Sequence, residues 1–158
     1  MEQRVHLYIQ AIHRIEDQEI LDRGVIDSIE KMENWYTGTL YVKGDTVYIQ
    51  YIDTELETED IRTVIKIAGQ EVTISKYGQV QSKQKFTKGQ QHKSYYQTPF
   101  GVLPLEIDTL DIMVDFVAVD DGFIQIEYAL DIGGERLGTR KVDIRIAPDT
   151  MRHVVYKH

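Results

Sequence analysis

Glycine recurs along the chain at intervals that fit the turns of an antiparallel meander. Seven short segments contain it: Asp22-Arg23-Gly24, Lys43-Gly44-Asp45, Ala68-Gly69-Gln70, Tyr77-Gly78-Gln79, Lys88-Gly89-Gln90, Asp120-Asp121-Gly122 and Gly133-Gly134. Glycine adopts positive φ without steric cost, as tight hairpins require. Between these segments apolar and polar residues alternate with a period of two, which is typical of half-buried strands. The pattern predicts an all-β chain.

Individual segments show the alternation of apolar and polar residues. In the first run the odd-numbered residues from Val5 to Ala11 are apolar, and residues 39–42 and 46–52 form the clearest hairpin. Residues 26–34 and 55–63 are polar enough for helices, but neither shows a sustained apolar stripe of period 3.6. We therefore interpret residues 25–34 as an exposed or edge strand.

The run from Val102 to Val119 is too long to be one straight strand. Eighteen residues at ~3.3 Å each would reach ~59 Å, whereas a compact domain of this length is about 40 Å across. Apolar residues are odd-numbered up to Ile107 and even-numbered from Leu110 to Phe116, so the side-chain phase changes near Thr109. A β-bulge produces such a change and lets one strand turn a barrel corner.

Sequential hairpins without helices to cover a sheet leave two architectures, a sandwich or a closed barrel. Closure removes exposed edges, and one long bent strand favours it. We therefore predict an all-β fold, an antiparallel up-and-down barrel of about eight to ten strands. The barrel should occupy residues 1–150 as a single domain, with residues 151–158 as a C-terminal extension.

Composition excludes several functions. The 158 residues include no Cys, which removes disulfides, thiol nucleophiles and thiolate metal sites. A net charge of −8, from 18 Lys plus Arg against 26 Asp plus Glu, disfavours nucleic acid as a partner. No long apolar run or signal-like N-terminus appears, so we expect a cytoplasmic protein that does not associate with membranes.

A motif near the middle of the chain carries a family resemblance. Tyr96-Gln97-Thr98-Pro99-Phe100-Gly101 is a Tyr-x-Thr-Pro-aromatic-Gly turn, and Leu103 to Thr109 follows as an alternating strand. With Tyr128-Ala129-Leu130 and the hairpin ending in Tyr48-Ile49-Gln50-Tyr51, this resembles the YwiB-like family of small bacterial proteins, a domain of unknown function. The resemblance implies a calycin-type barrel, similar in shape to lipocalins and streptavidin, and implies no activity. The Gly-x-Trp signature of true lipocalins is absent, because Trp35 has no glycine two residues before it.

The same motif supplies the candidate ligand-binding residues. Tyr96 and Thr98, with Tyr128 and Tyr51, would place hydroxyl groups near a barrel mouth, where such groups orient ligands beside apolar walls. The alternative is purely structural, since a residue before Pro is extended and Pro and Gly suit the second and fourth positions of a turn.

Other side chains point to no catalytic, metal or cofactor site. The five His residues are scattered, and carboxylates such as Glu106 and Asp108 or Asp111 and Asp115 are more simply the solvated outer face of a barrel than glycosidase pairs. No nucleophile elbow or phosphate-binding loop occurs. The basic residues Lys83, Lys85, Lys88 and Lys93 have two interpretations. They protect the outer face of a strand against aggregation, or they bind an acidic partner or an anionic ligand.

Three functions are compatible with the sequence. The leading hypothesis is a non-enzymatic barrel that binds a small apolar or amphipathic molecule in its interior. The alternative is a packed barrel that acts through its surface as a protein-interaction or self-association module, for example as a homodimer. An enzyme is the third, and it would require His and carboxylate side chains to converge in a cavity.

Overall fold

The computed structural model describes residues 2–15, 28–53 and 61–149. They form ten antiparallel strands: β1 (Glu2–Ile15), β2 (Ser28–Lys43), β3 (Thr46–Asp53), β4 (Ile61–Ala68), β5 (Glu71–Tyr77), β6 (Gln81–Phe86), β7 (Gln91–Thr98), β8 (Gly101–Ala118), β9 (Asp121–Ile132) and β10 (Glu135–Pro148). Among the described residues there is no α-helix. Residues 28–34 and 61–63 of the two weak helix candidates are in β2 and β4, and the rest of those segments lies outside the described ranges.

The sheet closes on itself. Each strand pairs with its sequence neighbours, and β1 pairs with β10 from Val5↔Pro148 to Ile15↔Gly138. This confirms the predicted up-and-down barrel of about eight to ten strands, and the described residues form ten. The hairpin between β2 and β3 is the predicted one, and Gly44 at its turn has a φ of 59°, a conformation that glycine adopts without strain.

The long strand β8 contains the predicted change of phase. Its register with β9 shifts between Thr109 and Asp111, so Leu110 is the extra residue and is half exposed. Leu105, Ile107 and Thr109 before the bulge, and Ile112 after it, are buried. A second irregularity lies between Phe116 and Ala118. The bulge therefore keeps both halves of one strand facing the same core.

The two ends of the barrel are filled differently. The end that carries the β2–β3, β4–β5 and β8–β9 turns, here called the packed end, is filled by fully buried side chains: Val5, Leu7, Leu40, Ile49, Val72, Phe86, Ile124 and Ile146. The opposite end, which carries the β7–β8 and β9–β10 turns, is called the cavity end. None of the described residues belongs to an apolar helix of membrane-spanning length.

Candidate functional site

The interior of the barrel contains a partly enclosed cavity of about 180 Å³ at the cavity end. A single water needs roughly 10–15 Å³ on the same kind of measure, so this space exceeds what one or two waters occupy. The wall comes from most strands of the barrel, through Ile9, Ala11, His13, Glu30, Met32, Asn34, Tyr36, Tyr51, Asp53, Ile65, Ile74, Lys76, Gln84, Tyr128, Arg140, Val142 and Ile144. The packed end closes the space from below.

One part of this wall is apolar and the rest is polar. Aliphatic side chains from β1, β4, β5 and β10 supply the apolar part: Ile9, Ile65, Ile74, Val142 and Ile144. The polar part includes two cations, Lys76 and Arg140, and the phenols of Tyr51 and Tyr128. Such a division is typical of pockets that hold the apolar body of a ligand and orient it by a few polar groups.

Strand phase brings the two cations into the barrel. Lys76 follows Val72 and Ile74 at the same parity on β5, and Arg140 precedes Val142 and Ile144 on β10. Successive side chains of a strand alternate between its faces, so residues two apart share a face. Both cations therefore extend the inward-facing rows of their strands toward the cavity end.

Hydrogen bonds hold the Arg140 side chain in place. Its Nη2 donates to Nδ1 of His13 over 2.9 Å, and Nε2 of His13 lies 3.1 Å from the carbonyl oxygen of Leu137. These contacts fit the His13 tautomer with its proton on Nε2, which donates to the carbonyl. Arg140 also lies close enough to Tyr128 to affect the pKa of its phenol. The guanidinium is thus held by a neutral acceptor, His13.

Two tyrosines line the cavity from deep positions. The Tyr51 ring stacks on Tyr36 with centroids 4.4 Å apart, and the Tyr128 ring packs against Phe86 at 4.8 Å. Burial raises the pKa of Tyr51 to about 12, and the nearby Asp53 carboxylate adds to the effect. Burial also raises the pKa of Tyr128, although Arg140 opposes the change. Both phenols therefore stay protonated at neutral pH and can donate hydrogen bonds.

Lys76 is half-buried. Burial lowers the pKa of its ammonium, and the nearby positive charge of Arg140 lowers it further, while Asp53 raises it. The causes show that Lys76 interacts electrostatically with Arg140 and Asp53 within one site. Its register partners are Thr63 on β4 and Ser82 on β6.

The four predicted ligand-binding residues divide into two pairs. Tyr51 and Tyr128 both line the cavity. Tyr96 is half-buried and packs against the core outside the cavity wall. Thr98 accepts a hydrogen bond from the backbone N–H of Phe100 and donates one to the carbonyl oxygen of Gly101, as the turn interpretation of the motif requires. The structure thus brings only two of the four together.

The sequence reasoning missed Lys76, Arg140 and His13. Their signal was present, because a charged or imidazole side chain occupies an inward-facing parity on each of three strands. The alternation of apolar residues identifies the core, and the polar residues of the same parity on each strand face the interior as well.

Several other charged groups form ion pairs on the outer wall. Lys85 pairs with Glu71, Lys88 with Asp111 and Lys93 with Glu106, and Arg136 contacts Asp108 and Asp131. The predicted basic segment is thus largely neutralised by neighbouring carboxylates. Within the described ranges, no three His or carboxylate side chains are grouped to hold a metal ion.

His6 has the outward-facing parity of β1 but is buried. Its Nε2 lies 2.6 Å from Oδ1 of Asp149, and the Thr37 hydroxyl lies 3.3 Å from its Nδ1. These contacts tie the end of β10 to β1 and β2.

Comparisons with known proteins agree with this architecture. A chain of Bacillus subtilis (strain 168) described as an uncharacterized beta-barrel protein, YwiB, is 32% identical over 107 residues, which are 68% of this chain and 74% of that one. The crystal structure of the ywiB protein from Bacillus subtilis superposes with a TM-score of 0.67 and 25% identity, covering 92% of this chain and 93% of that one. The profile of the domain of unknown function DUF1934 matches residues 17–144. The chain therefore belongs to the YwiB-like DUF1934 family of β-barrel proteins, whose function is not known.

Proposed function

We propose that this protein is a non-enzymatic binding protein that holds one small amphipathic molecule in the cavity end of its barrel. The single observation that carries the proposal is the cavity itself, about 180 Å³ with an apolar wall on one side and fixed polar groups on the other. A barrel filled by side chains along its whole length would have had no such space.

The volume limits the size of the ligand. Pockets for drug-sized molecules usually measure ~300–1,000 Å³, whereas an apolar cavity of ~150 Å³ is large enough for benzene. The cavity therefore suits a molecule with one ring or a short branched chain. Lys76, Arg140, Tyr51 and Tyr128 would orient its polar end, and the aliphatic wall would cover its body.

We propose that the protein binds its ligand without catalysing a reaction. His13 is engaged on both ring nitrogens, by Arg140 and by the Leu137 carbonyl. It therefore has no free nitrogen to serve as a general base. We place the protein in the cytoplasm, with neither nucleic acid nor membrane as a partner, on the strength of its net charge of −8 and its lack of long apolar runs.

Native mass spectrometry of the protein purified from its own host tests the proposal. We expect a fraction of the chains to retain a small molecule. In an Ala11→Phe variant the new ring fills the cavity, so the retained molecule should disappear. Ala118→Phe is the matched control, because Ala118 is exposed at the packed end and the same substitution there leaves the cavity unchanged.

The results for the wild type and the two variants can support or overturn the proposal. Loss of the molecule in Ala11→Phe and its retention in Ala118→Phe, with both variants folded by circular dichroism, would support the proposal. Bare wild-type chains that also bind no one-ring compound in calorimetry would overturn it.

A second candidate function, self-association as a homodimer, is favoured by one surface. The β7–β8 hairpin exposes a group of apolar side chains to solvent: Tyr95, Phe100, Val102 and Leu103. Exposed apolar side chains grouped on one hairpin suit an interface. Light scattering over a wide range of concentrations should then report a dimer that a Phe100→Ser variant loses. A monomer at every concentration would overturn this second candidate.

A further inference from the structure

Lys76 and Arg140 line the cavity as cations. The structure shows ion pairs for six other Lys and Arg side chains, but among the described residues neither Lys76 nor Arg140 has one. A cation removed from water is costly unless an anion compensates it. Lys76 and Arg140 are half-buried in the same cavity, so both are available to a negatively charged group of a ligand.

We propose that the polar end of the bound molecule is an anion, and that Lys76 and Arg140 hold a small organic carboxylate in the cavity. This inference rests on the proposed function, because it names the chemical class of the molecule that the cavity binds. Arg140 supplies the fixed donor, since His13 already holds its guanidinium. Lys76 supplies a second positive charge on a flexible stem from β5.

Two carboxylates of the protein also line the cavity, and neither neutralises these cations by contact. Glu30 is exposed, and Asp53 is half-buried. Asp53 influences Lys76 through space but forms no ion pair with it or with Arg140. The polar part of the wall therefore presents its ammonium and guanidinium groups without direct carboxylate contacts.

The rest of the wall distinguishes an organic acid from an inorganic anion. The aliphatic side chains of Ile9, Ile65, Ile74, Val142 and Ile144 offer no hydrogen bonds to phosphate or sulfate. An apolar body contacting them would gain free energy roughly in proportion to the apolar area that it buries. The volume of about 180 Å³ restricts this body to about one ring.

A buried hydroxyl beside Lys76 agrees with this assignment. Ser82 is the register partner of Lys76 on β6, so both face the interior. Its Oγ is buried and has no hydrogen-bond partner among the described residues. A buried hydroxyl without a partner carries a desolvation cost. An anion bound at Lys76 would offer the Ser82 hydroxyl a hydrogen-bond acceptor.

Calorimetry with three probes tests the inference. Benzoate and benzamide have the same shape, but only benzoate is charged at pH 7, and inorganic phosphate is an anion without an apolar body. We expect the wild-type protein to bind benzoate at least about tenfold more tightly than benzamide, the ratio typical for a hydrogen bond to a charged group. Phosphate should bind more weakly than benzoate.

The competing outcomes separate this inference from the proposed function. If benzamide binds as tightly as benzoate, the anion assignment is wrong while binding in the cavity stands. If phosphate binds more tightly than benzoate, the proposal that the ligand has an apolar organic body is wrong. If no probe binds and the protein from its host carries no molecule, the proposed function fails as well.

A matched pair of variants assigns the effect to the cavity. Lys76→Met keeps the apolar stem and removes the charge, so benzoate affinity should fall at least about tenfold with benzamide affinity unchanged. Lys66→Met removes a charge from the exposed face of β4 and should change neither affinity. Because Lys76 is unpaired, its replacement should not lower the melting temperature of the empty protein. An unchanged benzoate affinity in a folded Lys76→Met variant would overturn the inference.

Discussion

At the scale of single residues, inward-facing polar side chains give the barrel its chemistry. Tyr51 is 9% exposed, stacks on Tyr36 and lies close enough to Asp53 for the carboxylate to affect its ionisation. Arg140 donates a hydrogen bond to His13 and opposes the rise in the pKa of Tyr128. Tyr51, His13 and Arg140 continue rows that are aliphatic deeper in the barrel, whereas Tyr128 lies between aliphatic residues of its own row on β9.

The raised pKa of Tyr51 predicts alkaline instability. An unfolded phenol ionises near pH 10, whereas Tyr51 in the folded protein ionises only at about 12. Above pH 10 the unfolded state binds fewer protons than the folded state, so stability falls as pH rises from 10 toward 12. A difference of about two units corresponds to about 2–3 kcal/mol, present below pH 10 and lost at the upper end.

Unfolding by urea at several pH values between 8 and 12 measures this dependence. Tyr51→Phe should show a shallower fall of the free energy of unfolding above pH 10 than the wild type. Tyr95→Phe, at an exposed tyrosine, is the control and should keep the wild-type slope. Equal slopes in the wild type and Tyr51→Phe would contradict the prediction.

At the scale of elements, β8 shows how one extra residue sets the orientation of a whole strand. Because Leu110 is inserted between paired positions, Ile107 and Ile112 both point inward although their numbers differ in parity. Without the bulge, one half of the strand would present its apolar row to solvent.

Deletion of Leu110 should therefore be far more damaging than its replacement. Leu110→Ser changes a half-exposed side chain and should alter the free energy of unfolding by no more than about 0.5 kcal/mol. The deletion variant should lose cooperative urea unfolding and native near-UV dichroism. A deletion variant as stable as the wild type would show that the bulge does not set the phase of β8.

At the scale of the whole molecule, the barrel wall is uneven. β1 pairs with β2 and β10 along nearly its whole length, whereas β6 and β7 are joined at only two register pairs, Gln81↔Gln97 and Ser82↔Tyr96. Beyond these pairs the Ser94 hydroxyl donates to the Lys83 carbonyl over 2.7 Å. The β6–β7 seam is therefore the most weakly bonded line in the described wall.

Amide hydrogen exchange followed by NMR should locate this seam. Amides of β6 and β7 that face each other beyond Ser82 should exchange faster than amides of β1 and β10, where the hydrogen-bond ladders are continuous. Amides of β7 that face β8 serve as the internal control, because that pairing extends from Gln91↔Asp108 to Thr98↔Gly101. Uniform protection around the barrel would contradict the uneven wall.

Local patterns in the sequence determined much of the fold. The turn at Gly44, the inward row from Val5 to Ala11 and the bulge near Thr109 depend on residues close together along the chain. Alternation and turn chemistry act over a few residues, so they can be recognised without knowing which strands are neighbours. Tyr51 and Tyr128 were predicted instead from hydroxyl-bearing residues in the strands that carry the family resemblance.

Only the tertiary structure decided where the barrel is solid and where it is hollow. Arg140 and His13 are 127 positions apart, and they meet because the last strand closes on the first. Closure also places Lys76 across the same cavity. Cavity volume depends on how side chains from all the strands fill one shared space, and the periodicity of any single strand does not contain that information.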